Sequence, residues 1–78
     1  MPRTLRTPRH EALRQLLIRK RKEAGLTQVE LAKLLDVYRS YLAHIERGQR
    51  RVDVIEFLEL ADAIGFDPAE AIRAIHAK

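Results

Sequence analysis

Signals that end helices recur so closely along this chain that they leave little room for any other element. Gly25, Gly48 and Gly65 each follow a segment whose apolar residues recur three or four positions apart. Glycine often occupies the left-handed position that ends a helix, because it has no Cβ to clash there. We find no convincing strand pattern, no internal repeat and no low-complexity tract. The pattern predicts an all-α chain.

The starts of helices are marked as clearly as their ends. A Thr or Asp side chain at the N-cap accepts a hydrogen bond from a free backbone amide, and a Glu three residues later completes a capping box. Proline is favoured in the first turn. The signals are Thr7-Pro8, Thr27 with Glu30, Asp53 with Glu56, and Asp67-Pro68. Because the apolar period also restarts after Asp36-Val37, we expect five helices in one compact bundle.

The apolar period within each predicted helix identifies the expected core. Its positions are Leu13, Leu16, Leu17 and Ala24 in the first helix, Leu31, Ala32 and Leu35 in the second, Tyr41, Leu42 and Ile45 in the third, and Val54, Phe57, Leu58, Ala61 and Ile64 in the fourth. The short fifth helix carries Ile72 and Ile75 as exposed apolar residues. The small Ala32 lets the second and third helices cross closely, and Val37 is expected to help fill the wedge between them.

Length and composition limit what this chain can be. Its 78 residues form a single domain, and the absence of Cys excludes disulfides, Cys-based zinc sites and a thiol nucleophile. No apolar run approaches a membrane span, and the first ten residues lack the apolar stretch of a signal peptide. We therefore expect a cytoplasmic protein with no membrane partner, whose residues 1–7 form a basic N-terminal arm.

Charge divides the chain into two unequal parts. Residues 1–51 contain 13 Lys and Arg against 5 Asp and Glu, whereas residues 52–78 contain 2 against 6. The first part is the one expected to face a polyanion. Basic surface by itself often only interacts with solvent, so this division does not identify a nucleic-acid partner without a motif.

Several classes of function lack the residues that they need. His10, His44 and His76 have no second ligand at metal spacing, and no glycine-rich phosphate loop is present, so neither an enzyme, a metal site nor a cofactor is expected. With two Phe and two Tyr residues, the chain offers few aromatic rings for stacking RNA bases. Binding to a membrane surface would need a large apolar face opposite the charges, and the core needs that face.

Residues 28–47, with the sequence QVELAKLLDVYRSYLAHIER, resemble the helix-turn-helix of the lambda-repressor-like family, which includes phage repressors, Cro proteins and bacterial XRE-type regulators. The resemblance covers roughly residues 10–75 and includes the small Ala32, the Glu46-Arg47-Gly48 ending and a fourth helix. Two positions depart from the family pattern. Asp36 stands where the turn usually has Gly, and Tyr38 stands where a Ser or Thr usually caps the third helix.

The resemblance implies how the third helix, about residues 38–47, would read DNA from the major groove. Four positions match those that contact base edges: Arg39, Ser40, Ala43 and His44. Arg39 could bond a guanine bidentately, His44 could donate to a purine, and an exposed Ala43 methyl could touch a thymine methyl. The alternative is that Arg39 and His44 hold phosphates or only face solvent.

Other positions are implied to hold the DNA backbone or to support the fold. Gln28 opens the second helix, where free amides favour an anion, and Tyr38 could give its hydroxyl to a phosphate. Arg47, Arg50 and Arg51 surround Gly48 in the following loop and are expected to lie along the backbone, although a solvated charge run is the alternative. Arg21 and Glu46 match a family ion pair that joins the first helix to the third.

These expectations combine into a prediction of function. The chain is predicted to bind double-stranded operator DNA as a transcriptional regulator, namely a repressor that acts as a homodimer on an inverted repeat. The dimer contact is expected in the C-terminal helix, residues 67–78, through Phe66, Ile72 and Ile75. The alternative is an antitoxin or another interaction module of the same fold, with a toxin or a different regulator as its protein partner.

Overall fold

The computed structural model describes residues 7–78 and contains five helices in that range. They are α1 (Pro8–Glu23), α2 (Gln28–Leu35), α3 (Arg39–Glu46), α4 (Val54–Ile64) and α5 (Pro68–His76). Over residues 7–78 no strand is present, so the predicted all-α, five-helix fold is confirmed. Residues 1–6, which make up most of the predicted basic arm, lie outside the described residues. No helix among residues 7–78 has the length and apolar character needed to cross a membrane.

Each predicted cap lies at the start of its helix. Thr7 and Asp67 accept amide hydrogen bonds at α1 and α5, and both predicted capping boxes are formed, by Thr27 with Glu30 and by Asp53 with Glu56. Tyr38 stands at the N-cap of α3 and makes no side-chain cap bond, as expected. The amide groups at the start of α3 are therefore not capped by the side chain that precedes them.

Asp36 ends α2 within the turn of the helix-turn-helix, and Gly48 follows the end of α3. Asp36 has a left-handed backbone with φ 58°, the conformation predicted for a position that usually holds Gly. Gly48 has φ 77°, and a Cβ added there would lie 3.3 Å from Cδ of Arg14. The left-handed backbone favours glycine at this position, and a larger residue would also require the Arg14 side chain to shift by a few tenths of an ångström.

The core lies where α2 and α3 pack against α1 and α4. Leu31 and Leu42 are the largest fully buried side chains, with 1% and 2% exposed. The buried cluster consists of Leu16, Leu17, Leu31, Ala32, Leu42, Ile45, Phe57, Leu60 and Ala71. Ala32 is 4% exposed, in agreement with its predicted position at the crossing of α2 and α3. Because α2 and α3 pack together against α1 and α4, α3 lies at the edge of the domain.

Four predicted core positions are wrong. Val54 is 71% exposed, Leu58 is 41% exposed and Val37 is 36% exposed, while Ala24 is an exposed C-cap residue. On α4 the buried face is formed by Phe57, Leu60 and Ala61. That helix is apolar on two faces, so its period alone cannot tell which face is inward.

Candidate nucleic-acid interface

Helix α3 presents a polar face to solvent and an apolar face to the core. Tyr38, Arg39, Ser40 and His44 are exposed, and Tyr38 is 86% exposed. Leu42 and Ile45 are buried on the opposite side, and Ala43 is buried as well. Because α3 is held by one face at the edge of the domain, its outer face is available to a groove wide enough for a helix.

The predicted base contact by Ala43 is wrong. Ala43 is 4% exposed, so its methyl group cannot reach a thymine. The small side chain serves close packing at this position, and three of the four predicted base-reading residues remain on the exposed face.

The predicted ion pair between Arg21 and Glu46 is present. Arg21 Nε donates to Glu46 Oε2 at 2.7 Å, and its NH2 group donates to Oε1 at 3.0 Å. Each side chain is 10% exposed. Arg21 also donates to the carbonyl of Leu26 at 2.8 Å, so the guanidinium joins α1, the α1–α2 turn and α3. An ion pair this buried is costly unless its hydrogen bonds are satisfied, and here they are.

Gln28 connects this ion pair to the exposed face of α3. Its Nε2 donates to Glu46 Oε1 at 2.9 Å, and its Oε1 accepts from Arg39 NH1 at 3.0 Å. The spacing of these residues in the sequence did not predict this connection, because Gln28 begins α2 and Arg39 begins α3. Only the crossing of the two helices brings their side chains together. The contact of Gln28 with phosphate stays a prediction.

The side chain of Arg50 makes contacts that the sequence did not predict. Its guanidinium donates to both carboxylate oxygens of Glu56, at 3.0 and 2.8 Å, and lies 4.7 Å from the centre of the Tyr41 ring. It also donates to the carbonyl of Arg51 at 2.9 Å. Arg50 therefore stabilises the α3–α4 loop, a structural role beside its predicted phosphate contact, which stays untested. Arg47 and Arg51 are exposed in the same loop.

Arg14 is a supporting residue that the sequence reading missed. Its NH1 group donates to the carbonyl of Glu46 at 2.6 Å, at the end of α3, and its Nε donates to Glu11 on its own helix. A cation near the last carbonyls of a helix is favourable because of the helix dipole. The only sequence signal was an arginine on the inner half of α1, which is too common to predict such a contact.

Glu56 makes the α3–α4 junction sensitive to acid. The Arg50 guanidinium and the Asp53 amide both donate to its carboxylate, and together they lower its pKa from 4.5 to about 2. A lowered pKa contributes stability above about pH 4.5, and this stability is lost as the pH falls through about 2.

In thermal melts from pH 7 to 2, we expect Glu56→Gln to remove on the order of 1–2 kcal/mol of this pH-dependent stability. The exposed Glu59→Gln on the same helix is the control, and equal profiles for both variants would contradict the prediction.

The predicted dimer residues lie beside an apolar groove between α4 and α5. Ile72 is 51% exposed and Ile75 is partly buried, while Phe66 packs edge to face on Phe57 at 5.7 Å between ring centres. Phe66 therefore contributes mainly to the core. The groove is lined instead by Val54 and Leu58 together with Ile72 and Ile75. Val54 and Leu58 of α4, which were predicted to lie in the core, thus form part of an exposed apolar surface.

Residues 7–78 contain no group of three or more side chains that could hold a metal ion. His10 is buried at 6% exposed, whereas His44 and His76 are exposed on different helices. The predicted site is therefore a surface formed by helix faces and a loop. Two short helices, α2 and α3, are joined by a tight turn, and the outer face of α3 is polar and exposed. This arrangement is that of helix-turn-helix DNA-binding folds.

Comparison with known proteins leads to the same class. A family model described as helix-turn-helix matches residues 17–70. The HTH-type transcriptional regulator YqaF of Bacillus subtilis (strain 168) is 38% identical over 55 residues, which are 70% of this chain and 72% of that protein. The chain belongs to the XRE-type helix-turn-helix family of transcriptional regulators. This family is one of DNA-binding regulators and not of enzymes, as the sequence predicted.

Two solved structures are similar over most of their length. An XRE-family like protein from Pseudomonas syringae pv. tomato aligns with a TM-score of 0.83 and 40% identity, covering 88% of this chain and 84% of that chain. The restriction-modification controller protein C.AhdI from Aeromonas hydrophila aligns with a TM-score of 0.70 and 40% identity, covering 77% and 91%. These similarities extend well beyond the helix-turn-helix itself.

Proposed function

We propose that this protein represses transcription by binding a specific operator in double-stranded DNA, with α3 in the major groove. The observation that carries the proposal is the division of α3 into a buried apolar face and an exposed face with Arg39, Ser40 and His44. Arg39 is suited to a bidentate contact with guanine, and His44 is suited to a purine acceptor. A repressor of this kind acts on chromosomal DNA in the cytoplasm.

Residues at both ends of α3 would hold the DNA backbone. Tyr38, Arg47 and Arg51 are exposed there, and Gln28 lies at the start of α2. Such contacts orient the protein on the duplex but carry no sequence information, whereas Arg39 would carry it. The two classes of residue therefore differ in how their removal should affect binding.

The operator can be isolated by selecting bound sequences from a random DNA library, and binding to each single-base variant can then be measured by fluorescence anisotropy. We expect Arg39→Ala to remove a preference worth about 1–3 kcal/mol at one base pair in each half-site. Arg47→Ala should weaken binding to all sequences by a similar factor. Equal losses from both variants on every sequence would contradict base reading by Arg39, and failure to select any sequence would contradict the proposed function.

We also propose that the repressor is a two-fold homodimer joined through the groove between α4 and α5. A single helix-turn-helix contacts only a few base pairs, and symmetry doubles the information in the site. Two basic DNA-facing surfaces repel each other, while the acidic part, residues 52–78, exposes Val54, Leu58 and Ile72. Burial of these side chains against a second copy would remove an apolar patch from water.

Ile72→Asp tests this dimer. The buried charge should prevent association and leave a folded monomer, because Ile72 is 51% exposed in one copy. Sedimentation and footprinting should show loss of the dimer and of paired half-sites about 10 base pairs apart. Leu34→Asp, on an exposed residue of α2, is the matched control and should still dimerise. Unchanged association of Ile72→Asp would contradict the proposed interface.

The same groove supports a second candidate, an antitoxin whose partner is a toxin or another regulator. Its apolar lining, with Leu58 and Ile72 exposed, suits a helix of a partner protein as well as a second copy. Titration of the product of the adjacent gene onto the purified protein distinguishes the two candidates. Stoichiometric binding that Ile72→Asp abolishes would favour the antitoxin, and absence of binding would favour the homodimeric repressor.

A further inference from the structure

We propose that Glu56 and Tyr41 are positioning residues, which hold the Arg50 guanidinium ready for a two-bond contact with one phosphate of the DNA backbone. The proposal rests on the proposed function, because the phosphate belongs to the same duplex that α3 would read. The role assigned here concerns the strength of binding and not the choice of bases, since phosphate contacts carry no sequence information.

The hydrogen bonds of Arg50 leave one edge of its guanidinium open. An arginine has five N–H donors in a planar fork, and each of two edges can hold an anion through two parallel bonds. Glu56 takes the edge between the terminal nitrogens, where NH1 donates to Oε1 at 3.0 Å and NH2 donates to Oε2 at 2.8 Å. The second N–H of NH1 donates to the Arg51 carbonyl at 2.9 Å. Within residues 7–78, Nε and the second N–H of NH2 bond no acceptor, and these two donors share the other edge.

The guanidinium is held in place without being buried. The Tyr41 ring lies against it, with 4.7 Å from the ring centre to Cζ of Arg50. The carboxylate of Glu56 is fixed in turn, because the Asp53 amide donates to it at 3.0 Å, and its pKa of about 2 keeps it ionised at neutral pH. The Arg50 side chain is nevertheless 41% exposed, so a ligand in solvent can reach it.

The location and the open edge of Arg50 both suit a phosphate of DNA. Arg50 lies in the loop after α3, between Arg47 and Arg51, which are exposed and are proposed to lie along the DNA backbone. A backbone phosphate presents two unesterified oxygens, which match the two parallel donors of an arginine edge.

Glu56 affects such a contact in two opposite ways. An arginine that moves freely loses rotamer freedom when it binds, whereas Arg50 has already lost this freedom on folding, so Glu56 favours binding. The charge of Glu56 also repels the phosphate, but salt at about 0.15 M screens exposed charges over about 8 Å. We expect the first effect to be the larger, and because the two effects differ in sign, substitution of Glu56 distinguishes them.

Glu56→Gln removes the charge and one acceptor oxygen, while a glutamine can still complete the capping box with Asp53. In anisotropy titrations at about 0.15 M salt, below the melting transition of each variant, we expect it to weaken binding to the selected operator and to random-sequence duplex alike, about threefold to tenfold. Asp53→Asn is the matched control, because it also changes an acid to an amide at the start of α4 and keeps a good N-cap. It leaves the bonds between Arg50 and Glu56 in place and should not weaken binding.

Arg50→Lys separates positioning from charge. A lysine keeps the positive charge but lacks the planar fork that holds two anions on separate edges. Arg50→Lys should therefore weaken binding, and addition of Glu56→Gln to it should strengthen binding again, because the carboxylate now only competes with phosphate for the ammonium group. A merely structural role of Glu56 would not reverse the sign of its effect in this way.

Tyr41→Leu tests the contribution of the ring. The substitution keeps an apolar side chain but removes the face that lies against the guanidinium. It should weaken binding to all sequences when Arg50 is present and should have no further effect in the Arg50→Ala background. Equal losses in both backgrounds would overturn the positioning role of Tyr41.

Three results would overturn the role of Glu56 while DNA recognition by α3 stands. Stronger binding of Glu56→Gln would show that Glu56 competes with phosphate for Arg50. Equal weakening by Asp53→Asn would show that the start of α4 matters only for stability. Unchanged affinity and salt dependence of Arg50→Ala would show that Arg50 contacts no phosphate. If the unaltered protein binds neither a selected operator nor random-sequence duplex, the proposed function itself fails.

Discussion

Arg21→Met is expected to destabilise the domain by about 3–5 kcal/mol. The substitution keeps an apolar stem but leaves the carboxylate of Glu46 buried at 10% exposed without its cation. It also removes the hydrogen bond to the Leu26 carbonyl at the α1–α2 turn. For a domain of this size, the melting temperature should fall by at least about 12 °C.

A double-mutant cycle shows whether this loss comes from the pair. Glu46→Leu should cost a similar free energy. Arg21→Met and Glu46→Leu together should cost clearly less than the sum, because each single variant leaves one buried charge unpaired and the double variant leaves none. Arg19→Met, on an exposed arginine of α1 whose pair with Glu23 is 3.8 Å long, is the control and should change stability by under about 1 kcal/mol. Small and additive losses at residues 21 and 46 would show two independent charges and contradict the prediction.

Operator affinity is expected to fall by a thousandfold or more, on the order of 10³ to 10⁵, between 50 and 200 mM salt. The arginines predicted to contact phosphates, Arg47, Arg50 and Arg51, give six cations in a dimer, at the lower end of a range of about 6 to 10 neutralised phosphates. Gln28 and Tyr38 are neutral, so their contacts do not release counterions. Each phosphate that a cation neutralises releases counterions, which gives the logarithm of affinity a slope of about −0.9 per contact against the logarithm of salt concentration. Anisotropy titrations at four or more salt concentrations measure this slope.

Two variants show which charges produce the slope. Arg47→Ala removes one proposed contact per protomer, so the slope of a dimer should become shallower by about 2. Lys78→Ala, on an exposed lysine at the end of the acidic part, should leave the slope unchanged. A flat salt dependence of the unaltered protein would contradict a phosphate-dominated interface.

Most of the fold and part of the site follow from local sequence signals. The caps at Thr7, Thr27, Asp53 and Asp67 are decided by residues within three positions of one another, and each lies where it was predicted. The ion pair of Arg21 and Glu46 followed from the family resemblance. The positions of Arg39, Ser40 and His44 on the outer face of α3 also followed from this resemblance.

Features that depend on how helices meet did not follow from the sequence. Ala43 was assigned to the DNA and is buried, because the face that α3 turns inward depends on its rotation against the other helices. Val54 and Leu58 were assigned to the core and are exposed, because α4 is apolar on both faces and periodicity does not choose between them. Arg50 was predicted to contact phosphate. Its hydrogen bond to Glu56 depends on the conformation of the α3–α4 loop, which no local sequence pattern indicates.

The sequence by itself determined the number, order and ends of the helices, because caps, glycines and apolar period act over a few neighbouring residues. The class of DNA-binding regulator came from the resemblance of residues 28–47 to a known family. Only the tertiary structure decided which distant side chains form hydrogen bonds with one another. Gln28 and Arg39 are eleven positions apart, and Arg21 and Glu46 are separated by a whole helix. Their hydrogen bonds exist because packing brings α1, α2 and α3 to one junction, and hydrogen bonds depend on tenths of an ångström that no local pattern encodes.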